Sequence, residues 1–175
     1  MPRLNVLVEG SDDIRFFERV LVPLLKDRYG AVRLVPYACL RRTAVDHLLR
    51  GFARLGEAYV IVADIDAERS VRAKKRVVLA RFAEADPAAI AVVVVEIESW
   101  YLAGADDGFL ARSRVQPLAS TDDLTKEAFN ALIPRRYVSR VGFMLDLLDG
   151  YSVERGAERN RSLGFFLSRF AGIHK

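Results

Sequence analysis

The chain has a single cysteine, Cys39, and two histidines, His47 and His174, set far apart. One cysteine excludes an intramolecular disulfide and any cysteine-rich zinc site. Two distant histidines leave no histidine-held metal to expect. Cys39 reads most simply as a small buried residue. Long apolar runs are missing too. The longest, PAAIAVVVV, is far shorter than a membrane span, and MPRLNVLVEG lacks the apolar stretch of a secretory signal. No internal repeat, low-complexity tract or GxxxxGK[ST] phosphate loop occurs. These absences predict a soluble, reduced protein of the cytoplasm.

What is present is a globular composition: 175 residues, 51% hydrophobic and 29% charged, enough for one domain with a real core. The net charge of +4 suits a polyanionic partner without requiring one. Apolar strands alternate with amphipathic helices, the pattern of a parallel α/β sheet. Strands are expected at residues 4–8, 31–37, 58–64 and 89–95. One helix is expected from about residue 12 until Gly30 ends it, kinked or restarted at Pro23, another from Thr43 as N-cap with Asp46 three residues on, and a third over 68–84. Residues 105–121 read as a loop with at most a helical turn, followed by helical segments over 122–132, 135–148 and 162–170. The expected layout is an α/β core at 1–104 with a helical extension at 105–175 packed on it, a single domain overall.

The segment NVLVEGSDD raises the functional question, because a buried strand runs straight into acids. The first strand ends at Glu9, the third at Asp64-Ile65-Asp66 and the fourth at Glu96-Ile97-Glu98. Asp13 follows Glu9 by one helical turn. In a parallel sheet all strand carboxyl ends share one edge, where open α/β folds place their sites. The pattern thus predicts Glu9, Asp13, Asp64, Asp66, Glu96 and Glu98 along one rim. Hard oxygen donors suit Mg²⁺ or Mn²⁺ rather than zinc. Helix capping and solvation explain any one of these clusters, but three clusters after three core strands favour a site. If the strand continues, alternation points Asp64 and Asp66 the same way.

Glu9-Gly10 after the first strand and Asp64-Ile65-Asp66 after the third resemble a Toprim domain. That is the metal-binding α/β fold of topoisomerases, primases, recombination proteins and OLD-family nucleases. The Glu9/Asp13 spacing, the acid-rich EIESWYLAG and the late NRSLGFFLSRF are similar to small stand-alone Toprim proteins and the OLD type. The resemblance covers residues 4–104 well. It implies a Rossmann-like sheet and a Mg²⁺-dependent nuclease, without topoisomerase tyrosine or primase accessory parts. Glu9 would be the catalytic acid/base or a ligand, and Asp13, Asp64, Asp66, Glu96 and Glu98 the metal-binding acids.

A receiver domain also carries acids after its first and third strands, but needs a lysine after a fifth strand, which is not evident here. A haloacid-dehalogenase phosphatase places its DxD after the first strand, not the third. Arg69, Arg72 and Arg76 recur at helical spacing beside the DxD and could track a nucleic-acid backbone. Arg41-Arg42 and Arg135-Arg136 could hold phosphates or form a solvated face. Trp100 and Tyr101 could stack on a base or fill the core. The expectation is a metal-dependent phosphodiesterase acting on DNA or RNA. The alternative is a non-catalytic nucleic-acid- or protein-binding module within a defence or repair complex.

Overall fold

The computed structural model describes residues 1–173; His174 lies outside the described residues. By internal packing the chain divides into two units, Met1–Val93 and Val94–Lys175. The break falls directly after the fourth strand, earlier than residue 104.

In the first unit four apolar segments form strands: β1 (Arg3–Val8), β2 (Ala31–Pro36), β3 (Ala58–Asp64) and β4 (Ile90–Val93). They make one all-parallel sheet in the order β2-β1-β3-β4. The register pairs Leu7 with both Val35 and Ile61, and Asp64 with Val93. β1, β3 and β4 are nearly continuous runs of buried residues because helices cover both sheet faces, which parallel pairing requires. β2 is an edge strand, and of its residues only Val35 is buried.

One face of the sheet, built of Leu7, Val35, Ile61, Ala63, Ile90 and Val92, meets α3 (Arg42–Leu55) and α4 (Val71–Arg81). Val45, Leu49 and Phe52 of α3 and Val78 of α4 fill that layer, with Phe82 just beyond. The first crossover runs the other way along the sheet, so right-handed connection places it on the opposite face. It comprises α1 (Ser11–Phe16), a π-helical turn (Phe17–Leu21) and α2 (Val22–Lys26). Here the kink expected at Pro23 takes a particular form. Proline has no N–H to return to the preceding turn. The helix widens just ahead of it, and Val22 N–H bonds back to Phe17 O in a five-residue step.

Three local expectations are corrected. The α3 N-cap is Arg41, not Thr43, because the chain leaves the extended conformation two residues earlier. Cys39 is exposed, in the turn between Tyr37 and α3. β3 stops at Asp64, and Asp66 sits in a turn with φ +49°, so strand alternation does not reach it.

The second unit is helical: α5 (Glu98–Ala103), α6 (Asp107–Arg112), α7 (Lys126–Ala131), α8 (Arg140–Leu148), α9 (Val153–Arg159) and α10 (Arg161–Phe166). A second π-helical turn, Leu167–Ala171, extends α10. α5 is buried along its whole length and packs against α7, α8 and α9. Trp100 and Tyr101 are therefore core residues, and Trp100 Nε1 donates to Ser162 Oγ at 2.8 Å.

Candidate functional site

The strand order has a topological consequence. From β1 the chain first moves to β2 on one side, then returns past β1 to β3 on the other. Ligands of open α/β sheets bind outside the carboxyl ends of the strands flanking such a switch point, here β1 and β3. Glu9 follows the end of β1, and Asp64 ends β3. The same edge receives Tyr37, just beyond β2. Its hydroxyl donates to Glu9 Oε1 at 2.9 Å and lies 3.3 Å from Val62 O, tying all three strand ends together. Tyr37 is buried, and burial together with the Glu9 carboxylate pushes its phenol far above the usual range.

Asp13 is placed by the turn into α1. Gly10 N–H donates to Asp13 Oδ2 at 3.0 Å, so the acid closes the start of its own helix. It is only 5% exposed. Burial pushes its carboxyl up to about 6, against the lowering effect of the Gly10 N–H, and the nearby Glu9 and Asp12 carboxylates add to the rise. Glu9 and Asp13 are thus electrostatic neighbours.

Asp66 is exposed and forms an ion pair with Lys74, whose side chain is buried. Lys74 comes from α4, one turn above the Ser70 N-cap. The ammonium therefore meets the DxD turn from beneath. Arg69 lies in the turn ahead of α4, while Arg72 and Arg76 lie on the helix itself, four residues apart. All three are exposed, without an ion pair among the described residues.

Glu96 and Glu98 belong to the second unit, where both have partners. Glu96 Oε2 accepts from Lys126 N at 2.6 Å, at the N-terminus of α7. Glu98 is buried and pairs with Arg140, with Lys126 Nζ at 3.8 Å. Burial still raises the Glu98 carboxyl above its ordinary value, outweighing the lowering by its own backbone N–H, Arg140 and Lys126.

In kind, these donors fit a hard divalent cation: all are carboxylates, and Glu9 with Asp13 concentrates negative charge that a cation would relieve. In position they fit in part. Asp66 is drawn to Lys74, and among the described residues no three His, Cys, Asp or Glu side chains come together closely enough to hold an ion. Sequence reasoning missed Tyr37, Lys74 and Arg140. An aromatic just past the end of β2 was the available signal for Tyr37; nothing local marked the other two. No protein-family model, curated protein or solved structure matches this chain.

Proposed function

We propose that the chain is a Toprim-like, metal-dependent phosphodiesterase acting on DNA or RNA, with its site at the carboxyl edge of the first unit's sheet. The observation that carries this reading is the switch point: the two strands that flank it, β1 and β3, both end in acids, Glu9 and Asp64. Glu9, Asp13, Asp64 and Asp66 would hold Mg²⁺ or Mn²⁺ only after side-chain movements that draw them together and release Asp66 from Lys74. When bound, such an ion would neutralise the scissile phosphate and lower the pKa of a coordinated water. Tyr37 fixes one oxygen of Glu9 by its hydrogen bond, which orients the other oxygen for proton transfer at the edge. Arg69, Arg72 and Arg76 follow the DxD directly and would attract the phosphate backbone. Glu96 and Glu98 are committed to Lys126 and Arg140 within the second unit.

A second reading is favoured by the Lys74–Asp66 pair, which already neutralises one acid of the DxD. On it the unit is a nucleic-acid- or protein-binding module without catalysis. One substitution separates the two. Asp64→Asn keeps size and removes one charge, without stripping Lys74 of its partner as Asp66→Asn would. On the phosphodiesterase reading, Mn²⁺ binding measured by calorimetry weakens and Mg²⁺-dependent cleavage of DNA and RNA collapses. Equal cutting by Asp64→Asn and wild type rejects the site.

A further inference from the structure

The outer surface of α3 carries a feature that the acids at the sheet edge do not use. His47, Arg50 and Arg54 recur at helical spacing, and with Gly51 they line an open groove of about 390 Å³. No acid lines it. The space over Gly51 is open: a Cβ built there meets nothing within 4 Å. Arg42, His47 and Arg54 are exposed and make no hydrogen bond or ion pair among the described residues. Arg50 has only Glu84 at 4.0 Å, and Asp46 is turned to the Glu84 backbone N–H.

The direction of α3 matters. It follows β2 and precedes β3, so its Arg42 end lies at the carboxyl edge that carries Glu9 and Asp64, and the His47, Arg50 and Arg54 patch lies further along the helix from that edge. From His47 to Arg54 the rise is about 10 Å. We propose that this face of α3 docks the phosphodiester backbone of a duplex nucleic acid that passes along the carboxyl edge. The inference takes its substrate class from the nucleic-acid reading above. A patch of arginines without stacking platforms reads backbone charge, whereas a single-strand groove needs aromatic platforms for the bases. No Phe, Tyr or Trp lines the groove, and Phe52 of α3 is buried in the core.

The test is anisotropy titration of labelled duplex DNA, duplex RNA and single strands with the full chain in EDTA, over a range of salt. Arg50→Ala with Arg54→Ala should weaken duplex binding. On duplex DNA it should also lower the log–log salt slope by about 0.9 for each phosphate the arginines no longer neutralise. Gly51→Glu fills the groove with a carboxylate on a helix-favouring residue. It should abolish duplex binding while the thermal melt stays at or above wild type. Gly51→Ala, melted alongside, should bind like wild type. An unchanged slope in the arginine variant, wild-type binding by Gly51→Glu, or a wild type that prefers single strands overturns the proposal. Because EDTA removes any chemistry, α3-dependent duplex binding without cleavage on added Mg²⁺ would sustain this surface and sink the phosphodiesterase. Cleavage with an indifferent α3 would do the reverse.

Discussion

Asp13 shows what one buried carboxylate imposes on the rest. Its carboxyl titrates near 6 in the folded chain against 3.8 in the unfolded one, because burial disfavours the anion. The folded state therefore binds the proton more tightly, and its stability is highest below the unfolded value. As pH rises through the interval from 3.8 to about 6, this group removes on the order of 3 kcal/mol, and no more beyond. Asp13→Asn keeps an oxygen for the Gly10 N–H and removes the charge. In EDTA the variant should melt above wild type at pH 7, with the gap opening between pH 4 and 6. A gap independent of pH would show that the charge is not the cause. Gly104 makes a steric case. A Cβ there would lie 2.3 Å from Tyr151 Cζ and 2.4 Å from Ser152 O. The Tyr151 hydroxyl is itself committed to Trp100 O at 2.7 Å. Gly104→Ala should cost roughly 3 kcal/mol by overpacking, read from chemical denaturation.

At the scale of elements, the helices of the second unit are short, and their starts are fixed by side chains. Asp106, Thr125, Ser139, Ser152 and Asn160 each accept from the backbone N–H three residues on, opening α6 to α10. Such residues are the usual helix openers, yet α9 was not foreseen, because VERGAER hides its period behind charges and an interior glycine. Asn160 does more than cap. Its amide donates to Ser99 Oγ and Thr121 Oγ1, and its carbonyl oxygen accepts from Ser162 Oγ at 2.7 Å, all buried. Ser162 in turn receives the Trp100 indole. Asn160→Ala leaves several buried groups without partners and should destabilise the chain by roughly 2–3 kcal/mol. Asn160→Asp, which keeps the cap, should lose the two amide donations as well. A melt unchanged in either variant would contradict the network.

For the molecule as a whole, the excess of positive charge is small, +4 over 175 residues, so its placement decides what it can attract. Arg69, Arg72 and Arg76 stand exposed beside the DxD turn. Arg72→Ala with Arg76→Ala should flatten the salt dependence of nucleic-acid binding by about 0.9 per phosphate contact on duplex DNA. An equal slope would assign both to solvent. No helix among the described residues is long and apolar enough to cross a membrane.

The α/β class and the positions of all four strands followed from the sequence, because a parallel strand buried on both faces must be a short continuous apolar run, and such runs are plain in AYVIVAD and AIAVVVV. Glu9 and Asp64 were legible for the same reason, as acids that interrupt those runs. Strand order was not legible, since it depends on which way each crossover turns, and it is the order that sets the ends of β1 and β3 side by side. Tertiary structure alone also decided the partners of the acids. Lys74 reaches Asp66 and Arg140 reaches Glu98 over 8 and 42 residues of chain. An exposed Asp66 and a buried Glu98 look alike in sequence, because burial is a property of what folds over a residue and not of the residue itself.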